Sequence, residues 1–366
     1  MCIRDSNKDM RAEHATLGES LTWKENDDGT YTTEVLNETN AVAKIVRDER
    51  GIYYATLQAA IDAAQTGDTV TLLTDVVFDD FDAVYSAWAT EWGEKYETEP
   101  EAAKAALVSA LNNRLLTLDR DVTITLDLAG HTISSDVGYL PETLLNDPYP
   151  CGTLMLKQGN LTLKDSSTTG TGEIRGASMA VFQRGGTLTV QGGTYCPVGG
   201  KSEWVDPMYP IAALWTADGM CTIEGGTFHA GSACVSAETI PDLSPDSAVP
   251  SVTIKGGRFK GFPVGRVTVA AQVLASDKEG MFVAYRTFAD FAQAHAETFD
   301  YDGETSLLRL KADYLPKGGF FVNGDVTIDL NGHKWTFPQD GQLFCNSGTV
   351  VTLSLIHISE PTRRVV

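Results

Sequence analysis

Leu188-Thr189-Val190-Gln191-Gly192-Gly193-Thr194-Tyr195 is one of three copies of a single phrase. The others are Cys221-Thr222-Ile223-Glu224-Gly225-Gly226-Thr227-Phe228 and Val252-Thr253-Ile254-Lys255-Gly256-Gly257-Arg258-Phe259. Each runs apolar, Thr, β-branched apolar, polar, Gly-Gly, polar, aromatic, and the copies lie 33 and 31 residues apart. Recurrence at a near-fixed interval marks a solenoid, whose single coil cannot bury its own face and needs its neighbours. Period-two alternation puts Leu188/Val190, Cys221/Ile223 and Val252/Ile254 on one face and Thr189, Thr222 and Thr253 on the other. The Gly-Gly pair turns the chain, because glycine accepts φ > 0 without steric cost. Stacked in register at roughly 4.8 Å per strand, Tyr195, Phe228 and Phe259 form an interior ladder and the threonines an exterior one. Antiparallel hairpins with Gly-Gly turns are the competing reading. Hairpins would not place one residue type at the same point three times. The expected fold class is all-β, a parallel β-helix with an N-terminal capping helix, a helical insertion and the start of a second, shorter module.

Upstream of the copies, Thr56 precedes Leu57, Ala60, Ile61 and Ala64, an apolar stripe at i, i+3, i+4, i+7. Thr56 is placed to cap that helix by accepting from a free backbone N–H. A lone amphipathic helix ahead of a solenoid has a physical task, to cover the open core and unpaired edge of the first coil. Residues 7–50 read as a small β prelude and 51–283 as the first module. Within it, 79–118 depart from the β pattern, with Trp88, Trp92 and the alanine-rich 101–107 reading as a helical insertion. Asp79, Asp80 and Asp82 read as a solvated acidic helix start, since calcium-loop ligand spacing is missing. The segments 197–210 and 230–250 read as outward loops between copies.

Near residue 284 the scheme restarts. Thr287-Phe288-Ala289-Asp290-Phe291-Ala292 repeats the capping helix, and Val326 to His333 repeats Ile124 to His131. Thr56 and Asp127 are 71 residues apart, Thr287 and Asp329 only 42. The difference is most of the helical insertion, so 284–352 read as a second module without it.

The two ends of the chain are related to each other. Back-translated as ATG TGT ATA AGA GAC AG, Met1 to Ser6 has a reverse complement, CTG TCT CTT ATA CAC AT, that encodes Leu353 to Ile358. This resembles the mosaic-end adapter of a transposase sequencing library, so 1–6 and 353–366 are read as adapter-derived and excluded from fold reasoning. The expectation is that the natural chain runs on beyond Thr352.

The net charge is −21, and near −22 without the two ends. Such acidity repels nucleic acid and anionic lipid. No apolar run approaches the roughly 20 residues of a membrane span. With 42% hydrophobic residues and Gly 34 against Pro 14, the composition is that of a turn-rich globular chain. Cys151, Cys196, Cys221, Cys234 and Cys345 contain no CxxC pair, which leaves a zinc or thioredoxin-type site without support. No metal or cofactor is expected. Cys221 has inward parity and reads as a small buried hydrophobe.

The order Tyr54-Ala55-Thr56-Leu57-Gln58-x-Ala60-Ile61, Gly67-Asp68-Thr69-Val70-Thr71-Leu72-Leu73, Asp127-Leu128-x-Gly130-His131-Thr132-Ile133, then Gly-Gly-Thr-Tyr/Phe, resembles bacterial pectin-lyase-like right-handed β-helix modules. In particular it is similar to those of large secreted or wall-attached proteins of gut Firmicutes and Actinobacteria. The resemblance covers roughly residues 41–352. It implies a right-handed parallel β-helix, an extracellular location, and a stalk, adhesin or glycan-contacting role.

Two positions invite a catalytic reading, Asp127 with His131 and Asp329 with His333, since an Asp and a His can serve as orienter and base. Both sit at the same turn in both modules, where Asp and Gly satisfy backbone groups at a bend. Lyases of the resembled fold need clustered carboxylates for calcium and a basic residue. Here the outward ladder is threonine, non-nucleophilic without a base, and Lys164, Arg175 and Arg184 are scattered. A hydrolase would need paired carboxylates roughly 5–9.5 Å apart, and no strand offers an Asp-Asp doublet. No catalytic residue is assigned. The candidate glycan-binding residues are Trp204, Tyr209 and Trp215, whose apolar faces could stack on sugar rings; the competing reading makes Trp215 core and Trp204 a loop seal. The expected role is a non-catalytic, adhesin-like surface module, possible partners being a polysaccharide or a surface glycan. The alternative is a carbohydrate-active lyase or hydrolase.

Overall fold

The computed structural model describes residues 20–26, 30–112, 114–137, 152–197, 212–229, 233–239, 245–261, 263–337, 343–346 and 349–354. Within these the chain is mostly β, with four helices. The three copies fall on Met179–Val190 with Thr194–Pro197, Ala212–Ile223 with Thr227–Phe228, and Ser251–Ile254 with Gly257–Phe259. They pair in parallel, Leu188 beside Cys221 beside Val252, and Tyr195 beside Phe228 beside Phe259. Parallel pairing rules out the hairpin reading.

As the chain advances it alternates between an eleven-stranded and a ten-stranded sheet. Leu116–Asp127 lies in the first, Thr132–Ser135 in the second, then Gly152–Lys164 and Glu173–Gly176, then the three copies. Leu188, Val190, Cys221, Ile223, Val252 and Ile254 are all buried, as alternation requires. Tyr195, Phe228 and Phe259 are each 0% exposed. Their rings stack with centroids 5.0 and 5.2 Å apart.

Glycine is required where successive turns lie on one another. Gly226 has φ 94°, while a Cβ on its neighbour Gly225 would meet the carbonyl oxygen of Gln191 at 2.3 Å. A second line of glycines bends the long strands. Gly219 has φ 90°, and a Cβ there would lie 2.4 Å from the carbonyl oxygen of Gly186. A side chain at either line would collide with the backbone of the preceding strand.

The start of the parallel ladder is closed by two elements. In the helix Leu57–Ala63, Thr56 Oγ1 accepts from the Ala59 N–H at 3.2 Å, and Leu57, Ala60, Ile61 and the C-cap Ala64 are buried in the main core. The Gln58 side chain bonds both backbone groups of Thr117 (2.8 and 2.9 Å). Arg120 Nη2 donates to the Ile61 and Ala64 carbonyls at 2.6 and 3.0 Å, satisfying groups that a helix end leaves without intrahelical donors. The hairpin Ala43–Arg47/Arg50–Tyr54 then meets Thr69–Leu72 antiparallel, ending the parallel order.

The expected insertion contains the helices Phe81–Trp92 and Pro100–Asn112. Trp88, Ala103, Leu107 and Leu111 form a second core with Met155, Phe182 and Trp215. Strand segments 152–156, 179–183 and 212–217 are therefore buried on both faces. One expectation is corrected: the loop 230–250 contains a strand, Ala233–Ala237, paired parallel to Ala212–Ile223. Its small residues are buried throughout, so it shows none of the alternation that marks a half-exposed strand.

A second hairpin, Val273–Ser276/Phe282–Tyr285, crosses residue 284 and pairs antiparallel with Gly257–Phe259. The helix Phe288–Ala294 follows, with a reciprocal cap between Thr287 and Asp290. Beyond it, Leu308 pairs with Ile328 and Arg309 with Asp329, as Val70 pairs with Leu126 and Thr71 with Asp127. Tyr314 bridges Trp335 as Val76 pairs with Ile133. The order of pairings is thus repeated with the insertion missing.

Candidate functional site

The outer side of the alternating strand segments presents a column of threonines. Thr69, Thr125, Thr162, Thr189, Thr222, Thr253 and Thr268 are consecutive register partners. All are partly or fully exposed. Three of them follow from the repeated phrase. Thr125, Thr162 and Thr268 each sit between two aliphatic residues, the same local signal, while Thr69, which follows Asp68, lacks it and is placed by register alone. β-branching restricts χ1, so the column holds hydroxyls and methyls in fixed orientation. It can hydrogen-bond and pack, and it supplies no general base.

A second column lies two residues on: Asp127 and Lys164 are register partners, and Gln191, Glu224 and Lys255, each one residue past its strand, donate their backbone N–H groups to the Leu163, Val190 and Ile223 carbonyls. Its members are paired across strands. Lys164 Nζ is 3.3 Å from Asp127 Oδ2, Gln191 Nε2 donates to Glu224 Oε2 at 3.4 Å, and Lys255 Nζ is 3.8 Å from Glu224 Oε1.

The turns carrying Asp127/His131 and Asp329/His333 do not bring their own Asp and His together. Asp127 Oδ1 accepts from the N–H groups of Ala129 and Ser166 at 3.1 and 3.0 Å. His131 Nδ1 lies 3.2 Å from Asp75 Oδ1, which also accepts from the Thr132 N–H. In the second turn Asp329 Oδ1 accepts from the Asn331 N–H at 2.9 Å, while His333 Nδ1 is 3.6 Å from Asp313. Ala129 and Gly130 have φ 48° and 88°, Asn331 and Gly332 φ 48° and 80°. Both are tight turns with two successive positive φ values, which is what Asp and Gly serve there.

Beneath the first turn, Asp165 accepts from Gly130, Ser167 and Gly172 N–H groups and from the Ser167 hydroxyl, at 2.8 to 3.1 Å. Burial alone would push this carboxyl up, but those donors hold it below the usual carboxylate range. Its oxygens are engaged by the fold. Arg175 pairs with Glu173 at 2.6 Å. Asp80, from the acidic helix start, is held by Arg114 at 2.6 and 2.7 Å. Among the described residues no three His, Cys, Asp or Glu gather into a metal-holding group.

Of the candidate glycan-binding residues, Trp204 and Tyr209 lie outside the described residues. Trp215 is 3% exposed, and its indole N–H donates to the Glu238 carbonyl at 2.8 Å. It packs in the second core, so its ring presents no face to a sugar. The uninterrupted apolar run 211–215 is the signal for that, since a strand covered on both sides does not alternate. Cys221 and Cys234 are buried free thiols, and burial pushes Cys234 up to about 12, which leaves it protonated and inert. No helix among the described residues is long and apolar enough to cross a membrane. Comparison with family models, with curated proteins and with solved structures found no match in any of the three.

Proposed function

We propose that the chain is a non-catalytic surface module: tandem right-handed parallel β-helices, displayed outside a bacterial cell, serving as a stalk or adhesive face for glycans. The observation that carries this is the threonine column. Seven stacked strands offer the same hydroxyl and methyl outward, and the carboxylates beside it are tied to lysines or backbone N–H groups. The winding reading rests on alternation between two parallel sheets with glycines at the bends. Right-handedness follows from the strong preference of crossovers between parallel strands. The extracellular location rests on the family resemblance of the sequence and on an acidic surface suited to solvent.

The test is incubation with a panel of neutral and acidic plant and bacterial polysaccharides, following reducing ends and unsaturated uronates. Pull-down on the same insoluble glycans runs alongside. The expected result is retention on at least one glycan without turnover. Sustained turnover of any of them overturns the reading, as does failure to bind any.

A further inference from the structure

The hairpin Val273–Ser276/Phe282–Tyr285 lies where the two proposed modules meet, and apolar cores stand on both sides of it. Val273 and Ala275 belong to the core that holds Phe291, Phe299 and Ile328, whereas Leu274, Phe282 and Ala284 belong to the main core with Ile254 and Phe259. The next strand, Phe320–Val322, alternates in the same way: Phe320 and Val322 lie in the one core, and Phe321 packs against the other. All four residues of Val273–Ser276 are buried. The ten-stranded sheet crosses this boundary unbroken. Gly257–Phe259 pairs with Phe282–Tyr285, that strand with Val273–Ser276, and that one with Phe320–Val322.

The hairpin ahead of the first helix, Ala43–Arg47/Arg50–Tyr54, is one-sided by contrast. Ala43 and Ile45 are fully buried, but Lys44 between them pairs with Glu38 at 2.8 Å, and Val46 is 57% exposed. A cap that ends a solenoid needs such a polar outer face, and the second hairpin has none. Side chains also fasten the second hairpin and its neighbours to the preceding turns. Arg258 donates to Asp277 and Glu279 at 2.7 and 3.2 Å, Arg286 to the Glu224 carbonyl at 3.2 Å, and Asn323 to the Val269 carbonyl at 3.2 Å. Domains that move independently are joined by exposed linkers that few contacts cross. Here only Ala270, Ala271 and Gln272 separate Val269 from Val273, and Ala271 is buried in the main core.

We infer that the second hairpin is a rigid splice, a partition shared by both cores that makes the two modules one stiff body, unable to bend at the joint and unfolding as a unit. This adds a mechanical property to the stalk proposed above. Its readouts do not depend on glycan retention, so either proposal can fail alone. The first test is the spread of spin-label distances in the full chain carrying Cys2→Ser, Cys151→Ser, Cys196→Ser and Cys345→Ser. Labels at Thr162→Cys and Asp300→Cys span the joint, and labels at Thr125→Cys and Thr253→Cys stay within the first module. The expected distribution across the joint is as narrow as the one within the module; a broader or two-peaked one overturns the inference. The second test is hydrogen exchange in mild urea, comparing the amides of 188–190 with those of 326–328. Leu274→Ala truncates a side chain of the main core and Val273→Ala one of the other core. Each should raise exchange about tenfold or more in both modules alike. Faster exchange confined to the module whose core was truncated overturns the inference, and the label distances decide it if either variant fails to fold.

Discussion

Phe228→Ala is the perturbation that bears hardest on the interior ladder. Phe228 is fully buried between Tyr195 at 5.0 Å and Phe259 at 5.2 Å, with interplanar angles of 16° and 6°. Truncating a buried phenylalanine costs about 3–5 kcal/mol in burial and residual cavity. Each aromatic contact adds roughly 0.5–1.5 kcal/mol beyond area, and this ring makes two, so the loss should sit near the top of that range, about 5 kcal/mol. Relaxation is restricted, because both neighbouring rings ride on strands fixed by parallel pairing. Phe228→Leu restores most of the apolar volume and removes only the ring contacts, so it should cost about 1–2 kcal/mol. Urea unfolding followed by circular dichroism gives both values, with the slope checked for a single transition. Hydrogen exchange at the amides of 222–228 should accelerate in the alanine variant. A loss below about 1 kcal/mol for the alanine variant, or equal losses for both, would refute the interior stack.

Gly219→Ala should destabilise by about 2 kcal/mol or more, since φ is 90° and the new Cβ would lie 2.4 Å from the Gly186 carbonyl oxygen; a urea midpoint at parent level would contradict this. Ala129→Gly should stabilise by about 1 kcal/mol, because Ala129 holds φ 48° where the second turn has Asn331 at the same angle; a lowered melting temperature would count against it. Tyr314→Phe should be neutral or gain up to about 1 kcal/mol, because the buried Tyr314 hydroxyl has no hydrogen-bond partner among the described residues, and a clear loss of stability would contradict this. Acid stability follows from Asp68, Asp165 and Asp277. Burial would raise each, but Arg47 with the Gln65 N–H, the donors around Asp165, and Arg258 with the Met281 and Glu279 N–H groups hold them below the usual range. Their contribution is full above the unfolded carboxylate value of about 3.9 and is lost as pH falls through the depressed folded values. Asp136, pushed up by burial and by Asp80 and Asp79, works in the opposite sense. Urea midpoints should therefore fall steeply below about pH 4; a flat profile to pH 2 would exclude these carboxylates.

Much of this architecture is written in short-range signals. Parity placed Leu188, Val190, Cys221 and Ile223 inside, and Thr56 and Thr287 marked both helix starts, because these depend only on spacing and local hydrogen bonding. What could not be read locally is what covers what. The run 211–215 is apolar without alternation, so it signals a strand buried twice but not that Trp88, Leu107 and Leu111 lie across it. Ala233–Ala237 lacked any signal, since small residues suit a loop and a crowded strand equally. Which threonines stand side by side in the outer column is set only by registers between strands far apart in sequence, although Thr125, Thr162 and Thr268 each show the local alternation.

Spin-label distances along the outer column probe the proposed parallel winding most directly. Labels on cysteines replacing Thr125 and Thr268 are five register steps apart, a separation of roughly 24 Å at the ordinary strand spacing. Pairing Thr125 with Thr253, or Thr162 with Thr268, should shorten this by about one strand spacing each. A distance that grows evenly with the number of strands between labels is the expected result. Distances that fail to order with strand count, or that bring Thr125 and Thr268 close together, would contradict a stack of parallel turns.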